Sequence, residues 1–194
     1  MTDQEIKDKV QSLVDKQEYS SDMDGGEMQD VVDSNDLVIG TMPRGVIWDN
    51  GLENNTRVVN IFVQNEKGEV LLPVRSRKKR YLPGGYDYSC GENLQSGEDY
   101  FSAAIRGLKE ELGIENEKLV KRGSFSPNKL KTTFCFGRAY LCVIDTKRFF
   151  LKPNEDEVER YEWKSLEEIE QMLKVEQSKF KRDYKSIFEL VFNS

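Results

Sequence analysis

The chain contains no histidine, and that absence removes a large part of enzyme chemistry. Ser-His-Asp triads, Cys-His nucleophile pairs, histidine-ligated zinc and any histidine general base are excluded. Cysteine is sparse: Cys90, Cys135 and Cys142 make an odd number without CxxC spacing, against both a disulfide framework and a zinc knuckle. Long apolar runs are missing as well. The richest, FCFGRAYLCVI, is interrupted by Arg138 and falls short of the ~20 residues of a membrane span. The N-terminus MTDQEIKDKVQSLVDKQEYS has charges in place of an apolar stretch, so no secretory signal is expected and the cytoplasm is the expected location. The chemistry left is that of carboxylate, lysine, tyrosine, thiol, or a hard metal ion on oxygen ligands.

What is present suits one folded domain. The 194 residues are 37% hydrophobic and 10% aromatic, enough to bury a core. The net charge is −6, with acidic residues concentrated before residue 40 and again over 154–170, which disfavours a nucleic acid polymer as partner. One basic cluster stands out, RSRKKR at 75–80, either a solvated loop or a contact for a small anion.

Along the chain, Ile6, Val10, Leu13 and Val14 make the stripe of a short amphipathic helix, followed by the Ser/Asp/Gly linker SSDMDGGEMQD. Residues 1–30 are therefore expected to be an acidic appendage, and residues 31–194 the main domain with C-terminal helices. VVNIFVQ and EVLLPVRS flank NEKG as a hairpin with Gly68 at positive φ, and Pro73 is expected to confine the second strand to an edge or a bulge. PGGYDYSCGENLQSG reads as a long loop leading into a helix capped by Ser96, with Phe101, Ala104, Ile105, Leu108 and Leu112 towards the core and a stop at Gly113. KTTFCFGRAYLCVID is apolar on both faces and hence a central strand. After the acidic loop KPNEDEVER come two further helices, the first with a Ser165/Glu168 capping box, the second burying Phe180, Tyr184, Ile187, Phe188 and Val191. The fold class is α/β, a single-domain sandwich.

On the central helix, positions 107, 110 and 111 fall within an arc of ~100°. Glu110 and Glu111 sit in the last turn, where the helix dipole disfavours carboxylates, so a compensating cation is expected. Mg²⁺ or Mn²⁺ would take these oxygens and leave positions for diphosphate.

Glu98, Arg106, Glu110, Glu111, Gly113 and Ile114 follow the spacing E-x7-R-x3-E-E-x-G-U, with U aliphatic. This resembles the Nudix box, G-x5-E-x7-R-E-U-x-E-E-x-G-U, of hydrolases that cleave nucleoside diphosphates linked to another moiety. The flanking VVDSNDLVIGTMPRG, GEVLLPVRS, PGGYDYS and EVERYEWKSLEEI look like the branch containing isopentenyl-diphosphate isomerase and its hydrolase relatives, over roughly residues 31–173. The resemblance implies the Nudix α/β/α sandwich, with a mixed sheet between helices. It also implies a small-molecule diphosphate substrate and a Mg²⁺ or Mn²⁺ cofactor on Glu110 and Glu111, with Glu98 supporting and Arg106 orienting. Two positions depart from the box: its second glutamate falls on Gly107, and its opening glycine falls on Glu92.

A base or further ligand is then sought outside the box, on Glu155, Asp156 and Glu157, with Glu157 the catalytic candidate, or at Glu92. Lys78, Lys79 and Arg80 are the phosphate-binding candidates. The resemblance thus points to a weak or atypical pyrophosphohydrolase, and its alternative is a Nudix fold kept for binding without catalysis. Isomerase chemistry is a remoter alternative. Cys90 lies where those isomerases place a cysteine, but their metal is held largely by histidines, and NKLKTT offers no glutamate pair. Tyr81, Tyr86, Tyr88 and the loop GLENNT are candidates for substrate specificity.

Overall fold

The computed structural model describes residues 1–16, 26–149, 151 and 155–193, so residues 20–25 of the expected linker and 152–154 of the acidic loop lie outside the described residues. In chain order the elements are α1 (Asp3–Lys16), β1 (Met28–Val32), β2 (Val38–Pro43), α2 (Arg44–Asp49), β3 (Arg57–Gln64), β4 (Val70–Arg75) and β5 (Cys90–Asn93). Then follow α3 (Tyr100–Leu112), β6 (Leu119–Phe125), β7 (Phe136–Val143), β8 (Val158–Lys164), α4 (Leu166–Val175) and α5 (Tyr184–Phe192).

The main sheet runs β6-β7-β3-β4-β8, with β5 also paired to β3. β3 and β7 are parallel over Arg57↔Phe136 to Gln64↔Val143, and the remaining pairs are antiparallel, so the sheet is mixed. Period-two alternation in β3 separates the two cores. Val59, Ile61 and Val63 meet Ala103, Ala104, Leu108 and Leu112 of α3. Phe62 turns the other way, to Ile169 and Leu173 of α4 and to Tyr184, Ile187, Phe188 and Val191 of α5. Helices therefore cover both faces, giving an α/β/α sandwich. β1 and β2 form a separate ribbon. On it α1 buries Ile6 and Val10 beside Val31, Met42, Ile47 and Leu52, and β1 runs across the boundary drawn at residue 30.

The hairpin turn, the central position of β7, the stop at Gly113 (φ 66°) and the Ser165/Glu168 capping box are as the sequence predicts. Three expectations are corrected. The cap of α3 is Asp99, whose carboxylate accepts from the Phe101 and Ser102 N–H groups, rather than Ser96. β4 is an interior strand, which corrects the edge alternative for Pro73, while the bulge alternative holds one residue on, at Val74/Arg75; the ladder to β3 opens after Gln64↔Val70, and the Pro73 carbonyl accepts from the Asp87 N–H at 3.2 Å. The buried face of α3 is also rotated, because Phe101 (50%) and Ile105 (47%) are exposed while Ala103, Ala104, Gly107, Leu108 and Leu112 are buried. Small residues at 103, 104 and 107 let the helix lie close to β5 and β3, and that close approach decides the face ahead of side-chain bulk.

Candidate functional site

The long glycine-rich segment is not all loop. Cys90–Asn93 pairs as β5 against Val58–Ile61, which fixes the strand directly beneath α3. The chain then turns through Gly97 at φ +75° and presents Glu98 just before the helix. Glu98 and Arg106 make a bidentate pair, with Nε to Oε1 at 3.0 Å and Nη2 to Oε2 at 2.9 Å. Arg106 Nη2 also donates to the Asn93 carbonyl at 2.9 Å, a partner that no side-chain pattern reveals. Its Nη1 lies 3.3 Å from Glu92 Oε2 and 3.4 Å from Glu110 Oε2. Burial works to raise the Glu98 carboxyl, but the Arg106 and Gln95 hydrogen bonds hold it below the usual range. Arg106 is itself held more firmly charged, above all by its hydrogen bond to Glu98.

Glu111 stands on the same side of the helix, against β5. Its surface remains open to water, yet neighbouring protein crowds its carboxylate. That desolvation, then the charges of Glu92 and Asp87, push its carboxyl up to about 8. Glu92 is also raised, first by burial, against the opposing charge of Arg106. The Cys90 thiol is buried and hydrogen-bonded to Glu111; burial, then the charges of Glu111 and Glu92, drive it well above its usual value. Tyr161 of β8 is pushed up to about 12 by burial, with Glu111 and Cys90 the charges it senses.

The basic cluster lies elsewhere in the contact network. Lys78 Nζ donates to Asp156 at 2.7 Å, Lys79 pairs with Glu157, and Arg80 is exposed. Among the described residues no hydrogen bond or ion pair joins Lys78, Lys79, Arg80 or Glu157 to Glu98, Arg106, Glu110 or Glu111. The specificity candidates are largely structural. Tyr88 is buried and donates to Asp183 at 2.9 Å, and Tyr86 lies against Phe180 with ring centroids 4.8 Å apart. Asn55 and Thr56 of GLENNT are buried, whereas Tyr81 is exposed beside Arg75.

The carboxylate oxygens at 92, 110 and 111 are the donor type that Mg²⁺ and Mn²⁺ take, so the donor chemistry fits such an ion. Among the described residues no three acidic or cysteine side chains are gathered closely enough to hold a metal as they stand, and Arg106 lies between Glu92, Glu98 and Glu110.

Comparison with known proteins agrees with this arrangement. The NUDIX domain family matches residues 54–184. An uncharacterized Nudix hydrolase of Nostoc is 39% identical over 123 residues, 61% of this chain and 70% of that protein. A Nudix hydrolase of Deinococcus radiodurans is 35% identical over 126 residues, 62% of this chain and 68% of that one. The crystal structure of DR0079 from Deinococcus radiodurans superimposes with a TM-score of 0.75 at 29% identity, covering 86% of this chain and 99% of that one. With the box residues held around Arg106 and the family match spanning most of the sandwich, the chain belongs to the Nudix hydrolase family.

Proposed function

We propose that the protein hydrolyses a diphosphate linkage in a nucleoside diphosphate derivative or a related small molecule, with Mg²⁺ or Mn²⁺ held by Glu110 and Glu111. The observation that carries this reading is the Glu98–Arg106 bidentate pair, which fixes the helix turn bearing both carboxylates. The metal would neutralise charge on the diphosphate oxygens. Glu98 and Arg106 then act as positioning residues. Glu157, beside Lys79, is the candidate to accept a proton from the attacking water, and Lys78, Lys79 and Arg80 are candidates to meet phosphate. Both roles require the 76–80 and 155–157 loops to approach α3 when substrate binds. Three buried free thiols suit a reducing, cytoplasmic setting, and no helix among the described residues is long and apolar enough to cross a membrane.

A second reading, a Nudix fold that binds such a ligand without turnover, is favoured by Gly107 together with Glu92, since the box has a carboxylate at the first position and a glycine at the second. Isomerase chemistry gains nothing from Cys90, whose buried thiol stays protonated beside two carboxylates.

The test is phosphate release from nucleotide sugars, dinucleotides, nucleoside di- and triphosphates and isoprenoid diphosphates, with Mg²⁺ or Mn²⁺, alongside Glu111→Gln. Turnover that Glu111→Gln abolishes supports the hydrolase. Binding without turnover in the parent supports the second reading.

A further inference from the structure

The two departures from the Nudix box lie in physical contact. Gly107 of α3 faces β5, and a Cβ built there would lie 2.9 Å from Glu92 Cβ, 3.3 Å from Glu92 Cγ and 3.0 Å from Cys90 Sγ. Carbon atoms pack best at ~3.5–4.0 Å, so the Glu92 stem already occupies the space that a side chain at 107 would need. Side chains at both 92 and 107 would overfill one gap between helix and strand. The glycine and the glutamate have exchanged places across that gap.

We infer that Glu92 on β5 supplies to the metal site the carboxylate that position 107 lacks, a role that rests on the hydrolase reading above. Three features support it. The stem of Glu92 fills the place of a residue-107 side chain, so its head group starts from the same wall of the cleft. Its carboxylate shares Arg106 with Glu110, the neighbouring box residue. Both of those contacts, at 3.3 and 3.4 Å, are longer than the ~2.7–2.9 Å of a close charge-assisted hydrogen bond, whereas Glu98 holds Arg106 at 2.9 and 3.0 Å. Arg106 is thus held most closely by Glu98; Glu92 Oε1 accepts from the Asn93 N–H at 3.0 Å, and the longer contacts of Glu92 Oε2 and Glu110 Oε2 to Arg106 are the ones a cation would displace. The opposing view is that Glu92 only fills space under a glycine.

Mn²⁺ binding, followed by the loss of the free-ion electron paramagnetic resonance signal, separates the two. The set is the parent, Glu92→Gln, Glu111→Gln, Glu92→Gly and the double variant E92G/G107E. Glu92→Gln keeps the stem and removes the charge, so Mn²⁺ affinity is expected to fall about tenfold or more while the metal-free melting temperature does not fall. Glu92→Gly is expected to bind as weakly as Glu92→Gln, and E92G/G107E to recover to within about threefold of the parent, because the carboxylate then returns to the helix. Affinity of Glu92→Gln within about twofold of the parent, with Glu111→Gln impaired, would overturn the inference and leave the hydrolase reading standing. A parent that takes up no Mn²⁺ at millimolar concentration would overturn both. If E92G/G107E does not fold, Glu92→Gln still decides.

Discussion

Glycine in the middle of a helix ordinarily invites a stabilising replacement. Gly→Ala in a helix interior gains about 0.8–1.0 kcal/mol, mostly backbone entropy. At Gly107 the new methyl would meet Glu92 Cβ at 2.9 Å and Cys90 Sγ at 3.0 Å. Neither atom is the free end of a flexible chain: one is anchored to β5 and the other is buried in the core. Overpacking of this kind costs about 1–3 kcal/mol, so the steric penalty exceeds the helix gain and Gly107→Ala is expected to destabilise by about 1 kcal/mol net. For a chain of this length that lowers the melting temperature by about 2–4 °C. Urea unfolding of the parent, Gly107→Ala, Glu92→Gly and G107A/E92G makes a double-mutant cycle. Removing the Glu92 side chain removes the 2.9 and 3.3 Å contacts and leaves only the 3.0 Å approach to Cys90 Sγ, so the alanine should be clearly less destabilising in that background. The reasoning is refuted if Gly107→Ala raises the urea midpoint in the parent, or if its effect is the same with and without Glu92.

The remaining expectations concern charge and thiols. Glu111, raised from 4.5 to about 8, makes the metal-free protein lose stability as pH climbs from ~4.5 through 8, since the folded state holds the proton that the unfolded state releases. Glu111→Gln should therefore be more stable than the parent at pH 9 and no more stable at pH 4, by about 1–2 kcal/mol once the water around the side chain is allowed for, as thermal melts across pH would show. Arg106→Ala leaves Glu98 and Glu92 facing each other without their shared cation, and urea unfolding should show a loss of about 2–3 kcal/mol. Cys90, Cys135 and Cys142 are all buried, so a thiol reagent should label none of them in the native protein and all of them in denaturant.

Some of this was readable without coordinates because local chemistry decides it. NEKG makes its turn, Gly113 takes a left-handed conformation and the Ser165/Glu168 box forms, and none of the three depends on what the rest of the chain does. Glu98, Arg106, Glu110 and Glu111 follow the spacing that resembles the Nudix box, and in the structure Arg106 contacts both Glu98 and Glu110. β5 was not readable: Cys90–Asn93 is too short and too polar to announce itself as a strand, and only its partner β3 defines it. The orientation of α3 was missed for a related reason. Its large apolar residues Phe101 and Ile105 point outward, and the alanines with Gly107 face the sheet, an arrangement that depends on the interhelical and helix-to-sheet distance. The meeting of Glu92 with Gly107 depends on both unread features at once.

The contact between positions 92 and 107 also bears on how such a chain is reached by single substitutions. Starting from glycine at 92 and glutamate at 107, one order of change passes through two glutamates whose stems contend for one gap. The other passes through two glycines, which pack without conflict but leave the cleft one acid short. The second order keeps the packing intact and the first carries an overpacking cost, an epistasis set by a 2.9 Å approach. A pattern scored one position at a time sees two losses here. The geometry contains one relocation.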